Sequence, residues 1–191
     1  MYEGVKMTAF ANLRLRFAAF LLDYLIIAAY IVVLIVVSVL LGFGPLRQTF
    51  QSLFANPNSS EISAFLLLVL PVILYFALYE SSSWQATWGK RKVGLRVMNS
   101  YGGRLNFRRS LVRSFIKFLP WELAHACLWR IPGWPLDPQN PPLIISMGLV
   151  LVWIIVGTYV ISMLMSKKHQ TLYDMIAGSY VVLAPHLNRA S

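Results

Sequence analysis

RFAAFLLDYLIIAAYIVVLIVVSVLL, residues 16–41, carries no charge from Tyr24 to its end at Leu41. With Phe17–Leu22 added, the run is long enough to cross the roughly 30 Å hydrocarbon core of a bilayer as a helix. One acid, Asp23, lies inside it. A carboxylate near the centre of a membrane helix costs about 2.5–3.5 kcal/mol on insertion scales, so Asp23 is expected to face protein or a wet cavity and to have a partner. Arg16 precedes it by seven residues, two turns away on the same face and about 10 Å along the axis. Side chains leaning together, or a bridging water, would join the two. The alternative is that Arg16 snorkels to the interface and Asp23, off centre, is neutral or wetted.

With 191 residues, 58% of them hydrophobic and 13% charged, the chain is too apolar for an ordinary soluble domain and short for more than one. It reads as a single integral membrane domain over residues 1–191, all-α and polytopic. Seventeen Lys and Arg against seven Asp and Glu would suggest nucleic acid in a soluble protein. Here the positions of the cations decide for membrane topology instead, because Lys and Arg accumulate in cytoplasmic loops. Nucleic acid is therefore not an expected partner. The lone Cys127 allows neither an internal disulfide nor a thiolate metal cluster and is expected to pack as a small hydrophobe. The apolar run exceeds the core of a secretion signal, about 7–15 residues, so Leu13–Leu41 is expected to stay as an anchor.

Outward from the first helix the chain reads as follows. Lys6, Arg14 and Arg16 place the N-terminus in the cytoplasm. Gly42–Glu61, rich in turn formers and with only Arg47 as a cation, is an outer connection. Residues 62–79 are a second uncharged run, with a kink expected at Pro71. Glu80 and Trp84 mark its exit. Residues 85–113 form a basic cytoplasmic loop, in which 93–98 and 104–107 flank a glycine turn and are expected to pair as a β-hairpin. Lys90, Arg91, Lys92 and Arg96 are expected to contact anionic lipid headgroups, at roughly 1 kcal/mol for each nearby cation.

Residues 114–130 are ambiguous, because the segment is short and carries Pro120, Glu122 and His125. Residues 143–165 are a clear span followed by Lys167, Lys168 and His169. If the basic loop and this tail share a side, the chain crosses an even number of times between them, and 114–130 is a span. Four spans, about 17–41, 62–79, 114–130 and 143–165, leave fifteen cations inside and two, Arg47 and Arg130, outside. Three spans plus an interfacial helix is the alternative. After the last span, Thr171 and Asp174 have the spacing of a capping box, Gly178 ends the turn, and 180–183 suits a strand pairing with the 93–98 segment. Asp174 is either a cap alone or a counter-charge to the basic patch or to Arg16.

Together these residues resemble the RDD family of small bacterial membrane proteins, named for one arginine and two aspartates. The family places the arginine at the start of the first helix and an aspartate within it, as in Arg16-Phe-Ala-Ala-Phe-Leu-Leu-Asp23. Its ATxGKxxxGLRV segment looks like Ala86-Thr87-Trp88-Gly89-Lys90-Arg91-Lys92-Val93-Gly94-Leu95-Arg96-Val97, and the second aspartate is Asp174 in Thr171-Leu-Tyr-Asp-Met-Ile-Ala-Gly178. The departures are Trp88, where a small residue or proline is usual, and the Glu122 and His125 pair, which the pattern does not assign. The resemblance implies a multi-pass protein of the bacterial inner membrane and a transport role, with some family members linked to sodium-proton exchange and others built into larger assemblies.

Two functions follow as expectations. In one, the chain exchanges small cations or protons through Asp23, helped by Arg16 and Asp174, with Glu122 or His125 as a relay and a homo-oligomer or membrane partner completing the path. In the other, Arg16, Asp23 and Asp174 form a polar clamp in a non-transporting accessory subunit. An enzyme is not expected, since the sequence has no Gly-x-Ser-x-Gly, no HExxH, no Walker motif and no metal-ligand spacing of histidines. No cofactor is implied.

Overall fold

The computed structural model describes residues 9–184, so Lys6 and the tail histidine His186 lie outside the described residues. In chain order the elements are α1 (Leu13–Phe43), α2 (Arg47–Ser52), α3 (Pro57–Ser81), α4 (Trp88–Lys92), β1 (Leu95–Asn99), α5 (Phe107–Leu128), α6 (Leu143–Met165), α7 (Leu172–Ile176) and β2 (Ser179–Leu183). Three of these, α1, α3 and α6, are long and apolar enough to cross a membrane, whereas α5 is not among them. The 31 residues of α1 make about 46 Å of helix, well beyond a hydrocarbon core. Leu25, Val32 and Val33 on α1, and Ile144 and Trp153 on α6, are all more than half exposed. Apolar surface of that extent is uncommon on a soluble monomer and is what lipid covers.

The chain divides into two compact units. One holds the described residues up to Tyr24, Tyr75–Ser114 and the described residues from Tyr159 on. Its centre is the antiparallel pair β1 and β2, in register from Leu95 opposite Leu183 to Asn99 opposite Ser179. Alternation sends Leu95, Val97 and Val181 into a core with Ala11, Ala19 and Leu105. Both edges of the pair are covered. The Gln85 carbonyl accepts from the Val97 amide at 2.7 Å, and on the far side the Ala11 amide donates to the Val181 carbonyl at 2.9 Å.

The expected hairpin between 93–98 and 104–107 is not formed. Residues 95–99 do form a strand, but its partner is the distant 179–183 segment rather than 104–107. Asn106 is the reason. Its side chain accepts from the Arg109 amide at 2.9 Å, which is N-cap chemistry, and so the chain enters α5 at Phe107 instead of returning along β1. The glycine turn survives as a loop closed by Asn99, whose Oδ1 accepts from the amides of Tyr101 and Gly103.

The other unit holds Leu25–Leu74 and Phe115–Thr158. Asn56 and Ser59 form a capping box that starts α3 at Pro57, ahead of the uncharged run. Ahead of Pro71, where a kink is expected, α3 carries one turn of π-helix over Phe65–Val69. Proline lacks the N–H that would bond the carbonyl four residues back, at Leu67. The Tyr30 hydroxyl donates to that carbonyl at 2.5 Å and satisfies it from a neighbouring helix, as freed groups in membrane helices require. Buried Cys127 packs as a small hydrophobe, and a Cβ added to Gly148 would lie 2.6 Å from its Sγ, so α5 and α6 approach closely there.

Candidate functional site

Asp23 and Asp174 are both fully buried in the first unit, in two different environments. The Asp23 Oδ1 accepts from the Tyr75 hydroxyl at 2.9 Å and from the Gly89 amide at 2.7 Å, and its Oδ2 accepts from the Thr87 hydroxyl at 2.6 Å. The protons on the two hydroxyls are directed toward Asp23 because their acceptor roles are taken. The Trp88 amide donates to Tyr75 Oη at 3.2 Å, and the Lys90 amide donates to Thr87 Oγ1 at 3.4 Å. All three partners of Asp23 are neutral donors, and no cation is paired with it among the described residues.

The 86–97 segment builds the Asp23 site and joins it to the ion pairs. Ala86 is fully buried, Thr87 caps α4 and binds Asp23, Gly89 gives the amide, and Lys90 turns inward. A Cβ at Gly89 would overlap the Ala19 carbonyl and lie 2.8 Å from Asp23 Cγ, so only glycine lets α4 approach α1 this closely. Trp88 contributes its backbone amide while its ring is exposed beneath Lys92, which makes the departure at that position harmless to the site.

Asp174 belongs to a chain of alternating charges. Arg16 Nη1 reaches Asp174 Oδ2 at 2.5 Å, and Arg113 reaches Asp174 Oδ1 with Nε at 2.8 Å and Nη2 at 2.7 Å. Arg113 Nη1 also pairs with Glu80 Oε2, and Lys90 Nζ donates to Glu80 Oε1 at 2.8 Å. Every member is nine-tenths buried or more in its side chain. The Thr171 and Asp174 capping box is present as well, so Asp174 is both cap and counter-charge. Burial alone would raise Asp174, but Arg113 and Arg16 beside it hold its carboxyl well below the usual carboxylate range. Burial likewise opposes the charge on Arg113, and Glu80 and Asp174 outweigh it and keep its guanidinium protonated.

Of the residues expected to act together, Arg16 and Asp174 meet and Arg16 and Asp23 do not. The i, i+7 spacing puts Arg16 and Asp23 on one face, but each has a nearer partner from another element. Lys90 also departs from its expected headgroup role, being buried against Glu80, while Arg91 and Lys92 are exposed. Glu122 and His125 lie in the other unit, where Glu122 Oε2, His125 Nδ1 and Trp129 Nε1 are buried without a hydrogen-bond partner among the described residues. Sequence reading missed Tyr75, Thr87, Glu80 and Arg113 as members of the site. Glu80 carried a signal, since an acid in the last turn of an apolar helix needs a cation.

No group of His, Cys, Asp and Glu among the described residues has the arrangement of a metal site. No solved structure matches the chain. Over 115 residues it is 27% identical to the uncharacterized protein YxaI of Bacillus subtilis (strain 168), covering 57% of this chain and 76% of that protein. The RDD family matches residues 10–178, a range that includes Arg16, Asp23, the 86–97 segment and Asp174, and the chain therefore belongs to the RDD family.

Proposed function

We propose that this RDD protein exchanges a small cation for a proton at Asp23, and that the Arg16, Asp174, Arg113, Glu80 and Lys90 chain is the clamp that holds the exchanging carboxylate in place. One observation carries the reading: Asp23 is a fully buried carboxylate in a membrane-spanning-type helix, and its described partners are all neutral donors. A buried carboxylate without a cation is the group whose charge a proton or a metal cation would neutralise. The five clamp residues, by contrast, are already paired with one another.

A topology of four crossings with both ends in the cytoplasm of a bacterial plasma membrane goes with this reading. A crossing by residues 114–130 is supported by the cations, since the basic 85–113 loop and the Lys167, Lys168 and His169 tail then share one side of the membrane. Four helices offer a thin pathway, so a second copy or a membrane partner would complete it.

Proton and sodium flux in liposomes containing the purified protein is the test. Native protein is expected to carry flux above empty liposomes, and Asp23→Asn, which keeps the volume of the side chain, is expected to remove it while the protein stays folded. Flux retained by Asp23→Asn would sink the exchange reading. A second reading, an accessory subunit without transport, is favoured by the donors already engaged on both Asp23 oxygens. Folded native protein without flux would leave that reading standing.

A further inference from the structure

The first unit contains a cavity of about 430 Å³ that the exchange reading does not use. It lies directly after the last turn of α3 and is lined by Ser83, Trp84, Arg91, Lys92, Gly94 and Arg96, among others. Three cations line this one space. The described acids of the unit, Asp23, Glu80 and Asp174, are all engaged elsewhere. Arg91, Lys92 and Arg96 thus have no carboxylate partner and no side-chain hydrogen bond among the described residues. Arg91 is held in place: its guanidinium lies 4.4 Å from the Trp84 ring centroid, and Trp84 in turn stacks on Tyr79 at 5.6 Å. With no side-chain hydrogen bond of its own among the described residues, the Arg91 guanidinium has its N–H fork free, the group that grips a phosphate with two parallel hydrogen bonds. Trp84 follows the end of a membrane-spanning-type helix, and indoles in such positions favour the headgroup region.

We infer that this cavity is a phosphate site, its ligand borne by an anionic lipid headgroup or by a soluble phosphate ester. The inference is independent of exchange at Asp23, since none of the lining residues touches that carboxylate. Native mass spectrometry of the full chain released from detergent tests it, with phosphatidylglycerol or phosphatidylcholine added at equal concentration. Phosphatidylglycerol is expected to be retained about ten-fold more strongly, and the Arg91→Gln, Arg96→Gln double variant is expected to lose that preference. Arg104→Gln, an exposed cation outside the cavity, is expected to retain it, and Arg91→Lys, which keeps the charge but loses the fork, is expected to retain only part of it. Inorganic phosphate and glycerol phosphate form the second arm. Saturable binding of either that the double variant abolishes supports the site with a soluble source, and a preference for the lipid that neither displaces supports the headgroup. Equal retention of the two lipids with no phosphate binding, or a preference unchanged in a folded double variant, overturns the inference.

Discussion

Arg113→Met is expected to cost about 3–5 kcal/mol, the range for breaking a buried ion pair by removing one partner. Arg113 is 2% exposed in its side chain and pairs with both carboxylates of the clamp, Glu80 and Asp174. Methionine fills much of the same volume, so the loss is one of charge and hydrogen bonds more than of packing. For a chain of this size the midpoint of thermal unfolding in detergent should fall by about 10 °C or more. Arg113→Lys should recover only part of the loss, because one ammonium cannot reproduce the fork that reaches two acids. The acid limb of stability follows from Asp174. Its folded carboxyl is held below the ordinary range, so its contribution is present above the unfolded value of about 3.9 and is lost as pH falls below it. Arg113→Met has less of this contribution to lose, so its stability should fall less on acidification. A midpoint within 1–2 °C of native would show that the clamp does not hold the first unit together.

Gly89→Ala is expected to destabilise by about 3 kcal/mol, the upper part of the range for overpacking. The added methyl would overlap a backbone carbonyl, that of Ala19, which cannot turn aside as a flexible side chain can. Relief requires α4 to withdraw from α1, and that movement stretches the Gly89 amide from Asp23, now 2.7 Å away. On the exchange reading, flux and the melting midpoint should therefore decline together. Ala substituted at Gly157, which has open space around it, is the matched control and should be near neutral apart from its favourable helix propensity. Equal midpoints for the two variants would contradict the close approach of α4 to α1.

Much of the fold was legible because uncharged runs and caps are local signals. The runs ending at Leu41 and covering 62–79 and 143–165 all fall in helices, and the Thr171 to Asp174 spacing forms the capping box it suggests. Gly178, with φ of +61°, ends that helix and lets the chain turn into β2. The hairpin failed because Arg104-Leu-Asn-Phe107 alternates like a strand, while Asn106 is also a helix cap, and the cap prevailed. Candidate site residues were legible one by one, but not their pairing. Arg16 is 158 positions from Asp174, and Glu80 is 33 from Arg113, so no periodicity along one element could connect them. The i, i+7 relation of Arg16 to Asp23 was a local signal and therefore a misleading one. Asp23 instead draws on Thr87 and Gly89, whose roles depend on α4 meeting α1.

The exchange reading depends on whether the Asp23 carboxyl can take up a proton and give way to a cation while the protein is folded. A hydrophobic carbodiimide reacts with protonated carboxyls from the lipid phase, and peptide mass spectrometry then locates the adduct. The expected result is an adduct on Asp23 that diminishes as sodium is raised at fixed pH, with Glu80 and Asp174, both paired with cations, left unmodified. An Asp23 that never reacts in folded protein, or that reacts equally at every sodium concentration, would contradict exchange at this carboxylate.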